Sequence, residues 1–158
     1  MYELKPMKFG VEIPFVHHLG FELVLFEDGH SILKYQPRPE HLNSFGVTHG
    51  GATMTLLDVS MAVAARSVQK DMGVVTIEMK TSFMQAAKAG QGQELTGKGH
   101  LIHRTATMAF TEATLFDEAG RPCAHATGTF KYVKRLPTGA RTSNPLNPPD
   151  DGSGISTD

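Results

Sequence analysis

The segment FGVTHGGATMTLLDVSMAVAARSV, Phe45 to Val68, constrains the fold more than any other part of the chain. From Gly50 to about Val68 it contains no Pro, is rich in Ala, Met, Leu and Val, and is apolar on nearly every face. Such a pattern predicts a helix wrapped by other structure rather than one lying on a surface. A single sheet is expected to cover one face of it, so its other side is expected to meet a second copy of the chain, as the interfaces of obligate dimers resemble a core cut in half. Between His49 and Arg66 the only charged side chain is Asp58. A lone carboxylate in an apolar helix needs an explanation, because burying it without a partner is costly.

The remainder of the 158 residues supplies strands. FELVLFE and HSILKYQ alternate apolar and polar residues on either side of Asp28-Gly29, which predicts an antiparallel hairpin. IPFVHHLG is read as a short helix with Phe15 and Leu19 inward, and QPRPEHLNSFG, with Pro37 and Pro39, as a loop. After the long helix come VVTIEMKTSFM, ELTGKGHLIHR, TATMAFTEATLFD and RPCAHATGTFKYV, four strand candidates rich in Thr, Val, Phe and Ile. The expected class is α+β: a curved antiparallel sheet wrapped around one central helix. Residues 1–12 are read as a lead-in, 13–134 as the domain, and 135–158, dense in Pro, Gly, Ser, Asn and Asp, as a disordered tail.

Several function classes fall away on composition. A formal charge of −1 provides no basic stripe for nucleic acid. One cysteine, Cys123, precludes an intramolecular disulfide and fits a reducing compartment, and no segment has the length and apolarity of a membrane span, so a cytoplasmic location is expected. The eight histidines show no helical His-x-x-x-His pair and no accompanying carboxylate cluster, so no metal is expected. Gly-x-Ser-x-Gly is absent, and Gly97-x-Gly99 lacks the third glycine and the βαβ context of dinucleotide binding.

The two glycines opening the helix, Gly50 and Gly51, leave backbone N–H groups unobstructed at its positive end, suited to a developing oxyanion. With Asp58 they suggest acyl transfer. Eight residues separate Gly50 from Asp58, however, which is roughly 12 Å along a helix axis and too far for both to touch one carbonyl carbon. Two helices side by side in a homodimer would solve this, the Gly50 amide of one chain facing the Asp58 of the other.

Asn43, Gly46, His49-Gly50-Gly51 and Leu57-Asp58, followed by VVTIEMKTSFMQAAKAGQ, resemble the hotdog-fold acyl-CoA thioesterases, in particular the phenylacetyl-CoA (PaaI-like) type, over about Phe15 to Val133. The resemblance implies a five- or six-stranded antiparallel sheet around a long helix, hydrolysis of a medium-chain or aryl acyl-CoA, and no cofactor beyond the coenzyme A of the substrate. It implies Asp58 as general base or nucleophile and the Gly50 amide as the group polarising the thioester carbonyl. Asn43 and His49 support that end of the site, and Thr76 stands where relatives carry a water-positioning Ser. Gly51, Phe83 and Met84 fall near the substrate, and His103 and Arg104, with Lys88 and Lys98, are the cations available to the phosphates of coenzyme A. Met54, Leu57, Met61 and the loop His41-Leu42-Asn43 are candidates for the acyl pocket. The dimer is expected to carry two shared sites, and pairs of dimers occur in the family. Two rival readings use the same fold: an enoyl-CoA hydratase or dehydratase relying on a histidine, and a non-catalytic acyl-CoA-binding protein.

Overall fold

A computed structural model describes residues 4–88 and 92–135; the tail expected to be disordered lies outside the described residues apart from Arg135. The elements run α1 (Pro14–Leu19), β1 (Glu22–Glu27), β2 (His30–Tyr35), a 3-10 turn (Pro39–His41), α2 (Gly50–Arg66), β3 (Met72–Phe83), β4 (Leu95–Arg104), β5 (Met108–Phe116) and β6 (Pro122–Lys134). The six strands form one antiparallel sheet in the order β1-β2-β4-β5-β6-β3. This is the hotdog architecture that the residue pattern implied.

Local chemistry fixes several joints. Asp28 and Gly29 have φ of 49° and 78°, the two positive values that a tight hairpin between β1 and β2 demands. In α1, Val16 and Leu19 share a face three residues apart and are buried, whereas Phe15 points the other way and is 57% exposed. The inward pair is therefore Val16 and Leu19, not Phe15 and Leu19. The lead-in is tied to the sheet by the Met7 N–H, which donates to Leu23 O at 2.8 Å.

The sheet curls far enough that strands on both sides of its centre touch α2, and more of the helix is covered than a flat sheet would allow. Leu56, Leu57, Met61 and Ala64 are wholly buried, packed against Leu33, Leu95, Ala113, Leu115 and Phe130 of the sheet and its neighbours. What stays partly open is a narrow stripe of Gly51, Met54, Thr55, Asp58 and Ala62, spaced three and four apart along one side. Close approach of helix and sheet is set by Gly97 and Gly99: a Cβ at Gly97 would lie 2.6 Å from Ser60 Oγ, and one at Gly99 would collide with the Ser60 carbonyl. Those two glycines are packing residues for α2, which accounts for the incomplete Gly-x-Gly motif.

β1 and β3 are the two edges of the sheet. Part of β1 is bridged by the lead-in at Met7, whereas β3 is twelve residues long, pairs on one side only with β6, and exposes Val75, Ile77 and Phe83.

Candidate active site

The start of α2 is built by the loop before it. The Asn43 side-chain carbonyl accepts from Phe45 N–H (2.9 Å) and Val47 N–H (3.2 Å), and the Val47 carbonyl returns a bond to Asn43 N–H at 2.8 Å. Gly46, φ 72°, lets the chain turn inside this hairpin-like loop. His49 caps the helix: its Nδ1 accepts from Gly51 N–H at 2.8 Å. A Cβ on Gly51 would stand 3.1 Å from that ring nitrogen, so the second glycine of His-Gly-Gly makes room for the cap. The Gly50 N–H, at the first helical position, has no acceptor among the described residues. It stands at the end of the helix where the dipole favours negative charge.

A residue assigned above only to the acyl pocket holds this loop from behind. His41 is buried, its Nδ1 lies 2.8 Å from Tyr35 Oη and accepts from Arg38 N–H at 3.2 Å, and its backbone carbonyl accepts from His49 N–H at 2.9 Å. Burial, aided by the Arg38 charge, lowers the His41 pKa and keeps the ring neutral, and burial pushes the Tyr35 hydroxyl up to about 12. The loop's two ends, Leu42 and Thr48, are bridged beside it. Nothing in residue spacing signals this role, since it depends on β2 bringing Tyr35 to the 3-10 turn.

Asp58 sits two turns further along α2, half-buried, and its Oδ1 accepts from Thr76 Oγ1 at 2.7 Å. Thr55, the only hydroxyl three or four positions from it on the helix, instead donates to Gly51 O at 2.7 Å. The partner thus comes from β3. Loss of hydration raises the Asp58 pKa, and the Thr76 hydrogen bond, which favours the charged form, opposes that rise.

A bulge makes the β3 contribution possible. Val74 and Thr76 pair with Tyr132 and Phe130, both in the core, so they face the helix. In an unbroken strand Phe83, of opposite parity, would face away. The register shifts between Thr76 and Glu78, after which Met79, Thr81 and Phe83 pair with Gly128, Ala126 and Ala124 on the helix side. The strand can therefore offer Thr76 to Asp58 and Phe83 to Gly50 on one face; a Cβ at Gly50 would lie 3.4 Å from Phe83 Cζ.

A cavity of about 350 Å³ opens at Gly50, walled by Val47, Thr53, Phe83 and Met84 and floored by Leu115, Cys123 and Ala124, with Asn43 and Gln85 among its polar lining. Of the residues picked from the sequence, it gathers Asn43, Gly50, Phe83 and Met84. Asp58 and Thr76 do not line it, in keeping with their two-turn offset from Gly50. Leu57 and Met61, candidates for the acyl pocket, are instead wholly buried in the core because they face the sheet, and Met54 is on the open stripe. Thr53 in the wall and Cys123 in the floor carry no signal in the sequence, because buried helix and strand positions look alike whether they meet a ligand or a neighbour. His103 and Arg104 end β4, exposed, His103 beside the Phe110 ring at 6.3 Å, and neither lines the cavity; Lys98 lies over the Phe116 ring at 5.2 Å. Among the described residues no three His, Cys, Asp or Glu side chains are grouped to hold a metal ion, and no helix is long and apolar enough to cross a membrane.

Comparison with known proteins agrees with this geometry. The model of the thioesterase superfamily matches residues 45–124, the stretch from the Asn43 loop to the cavity floor. Human acyl-coenzyme A thioesterase 13 is 31% identical over 97 residues, 61% of this chain and 68% of that protein. The chain spans only 57% of the length of an esterase-named relative from Caenorhabditis elegans. Among solved structures, the Escherichia coli PaaI protein of the phenylacetic acid degradation operon superposes with a TM-score of 0.70 at 18% identity, over 75% of this chain and 83% of that one, a likeness of fold. A Streptococcus mutans protein bound to acetyl-CoA superposes with a TM-score of 0.66 at 25% identity, over 75% of this chain and 92% of that one. A helix opened by His-Gly-Gly inside an antiparallel wrap, in a chain matched over half of its length by one family model, leaves a single conclusion: the chain belongs to the thioesterase superfamily and has its PaaI-like hotdog fold.

Proposed function

We propose that the protein hydrolyses acyl-CoA thioesters at two equivalent sites, each shared between the chains of a homodimer, with Asp58 of one chain and the Gly50 N–H of the other acting on one carbonyl. The observation that carries this reading is the division of labour along α2: an unspent N–H opening onto a cavity at one end, and a half-buried, Thr76-bonded carboxylate outside that cavity two turns away. Antiparallel apposition of two such helices along the open stripe of Gly51, Met54, Thr55, Asp58 and Ala62 brings the two groups together. The bare β3 edge, with Val75 and Ile77 exposed, supports the same apposition, because a long unpaired apolar edge is a liability until another strand covers it.

In the reaction Asp58 takes a proton from water as the oxygen attacks the thioester carbon. The charge that develops on the carbonyl oxygen is held by Gly50 N–H and the helix dipole, worth about 3 kcal/mol by comparison with similar donors. The tetrahedral species then collapses, the C–S bond breaks, and the thiolate leaves with the proton from Asp58. A direct attack by the Asp58 carboxylate, giving an anhydride that water then opens, uses the same groups. The walls of Val47, Phe83, Met84 and Leu115 suit an apolar acyl or aryl group. His103 and Arg104 do not line the cavity, so this reading assigns them to the nucleotide phosphates from the partner subunit. The hydratase alternative needs a histidine base, and the His49 Nδ1 is already committed to the Gly51 N–H.

Subunit complementation tests the proposal. Asp58→Asn and Gly50→Val chains, each with little activity alone, are co-expressed and assayed for thiol release from a panel of acyl-CoAs. A shared site leaves one intact centre in each mixed dimer, so about a quarter of wild-type activity returns. No recovery in dimers shown to be mixed places both groups within one chain and rejects the arrangement.

A further inference from the structure

At the end of α2 remote from Gly50, four segments converge: the last turn of the helix, the lead-in at Phe9 and Gly10, Phe26 of β1, and the end of β6. Arg66 closes the helix there with only 6% of its surface exposed. Its Nη1 donates to Phe9 O at 3.3 Å and its Cζ lies 5.6 Å from the centre of the Phe26 ring, but its Nε is buried with no hydrogen-bond partner among the described residues. Arg135 arrives from β6, its Nη2 3.1 Å from Gly10 O and its Nη1 3.4 Å from Lys70 O, and its Nε is likewise buried and unpartnered. A carbon placed where a Cβ of Gly10 would be lies 3.8 Å from Arg66 Nη2 and 3.9 Å from Arg135 Nη2, so the two guanidinium groups flank one small space. Lys70 Nζ adds a third cation, 5.4 Å from the Phe26 ring centre.

Like charges this close repel, and burial of one of them strengthens the repulsion. The carbonyl end of α2 offsets part of it. Among the described residues neither guanidinium is in an ion pair with a carboxylate. Two guanidinium groups whose Nη2 atoms border one gap can be bridged there by a tetrahedral oxyanion, and arginine suits this because its donors are fixed in a plane.

We propose that the gap beside Gly10 is a phosphate-binding site, with Arg66 and Arg135 as its two forks. The site stands on these residues alone and does not depend on the hydrolytic reading. The group it takes is a phosphate dianion, either free inorganic phosphate or a terminal phosphate of a nucleotide such as the 3′-phosphate of coenzyme A.

The test measures Tm in inorganic phosphate against sodium chloride of the same ionic strength. Wild-type protein is expected to gain at least about 2 °C in phosphate. Arg135→Gln loses that gain, Arg135→Lys keeps part of it, and Arg121→Gln, on the distant β5–β6 turn, keeps all of it. Absence of a phosphate-specific gain in wild type, or its persistence in Arg135→Gln, overturns the proposal. The source is separated by kinetics. If the site serves the substrate, Arg135→Gln raises KM for an acyl-CoA about tenfold and leaves KM for the matching acyl-dephospho-CoA alone. A KM unchanged for both, with the Tm gain lost, assigns the site to free phosphate.

Discussion

In the proposed site the first turn of α2 and its third turn work by opposite means. At Gly50 the group proposed to act is a backbone N–H, positioned by a relay of loop hydrogen bonds through Asn43, His41 and His49, and side chains matter there chiefly by being absent. At Asp58 the group proposed to act is a side chain, held by one hydroxyl from a different element and tuned by burial. A backbone donor costs little to preorganise once the helix exists, but it can be blocked. A carboxylate tolerates crowding, yet its reactivity follows every change in its hydration and hydrogen bonding. The two turns should therefore fail differently.

The largest effect is expected at the side chain. Asp58→Asn keeps the shape of the stripe and the Thr76 contact while removing the proposed base, so kcat should fall on the order of 1,000-fold with KM little changed. Turnover at the wild-type rate ends the assignment of Asp58. The backbone end is next. A Cβ at Gly50 would stand at ordinary contact distance, 3.4 Å, from Phe83 Cζ, so Gly50→Ala should be mild. The two further methyl groups of Gly50→Val must displace Phe83 or cover the N–H, and kcat should drop about 100-fold, the usual cost of one lost oxyanion donor. Equal kinetics for the alanine and valine variants would show that the amide is not what the substrate meets.

The same contrast explains what could be read from the residues. The Gly50 end was legible because its requirements are local: a cap, two small residues, a helix start, all within His49-Gly50-Gly51. The hairpin at Asp28-Gly29 was legible for the same reason, its φ angles being demanded within two positions. Asp58 could be picked out as anomalous, but its Thr76 partner followed only from resemblance, because nothing in β3 marks the register shift at Ile77. His41 and Tyr35 were opaque as a pair, since strand pairing and a 3-10 turn bring them together. The cover of α2 was underestimated because a pattern of apolar residues says that a helix is wrapped, not how strongly the wrapping sheet curves.

Thr76 joins the two halves of the comparison, because a side chain placed by backbone geometry sets the chemistry of another side chain. Its hydrogen bond favours the ionised carboxylate, so removing it in Thr76→Val raises the Asp58 pKa further. The acidic limb of the kcat profile, which reports the proposed base becoming deprotonated, should move to higher pH, and activity on that limb should fall. Thr76→Ser should restore both. A limb that stays in place in the valine variant would separate Thr76 from the titration of Asp58.

The smallest effect is on stability, and its sign distinguishes the side chain's role from a structural one. Burial raises the folded-state pKa of Asp58 above its unfolded value, so the folded protein binds the proton more tightly than the unfolded chain does. The carboxylate therefore costs stability as pH rises from the ordinary carboxylate range through the raised value, and the cost is full above it. Asp58→Asn, neutral at every pH, escapes that cost. Its Tm should exceed that of the wild type by a degree or two at neutral pH, about what a fraction of 1 kcal/mol gives in a domain of this size. The difference should shrink as pH falls and vanish below the ordinary carboxylate range, where Asp58 is protonated in both states. A lower Tm for the asparagine variant at neutral pH would mean that the charge of Asp58 serves the fold, and that its place on the open stripe is not the exchange of stability for reactivity expected of a catalytic base.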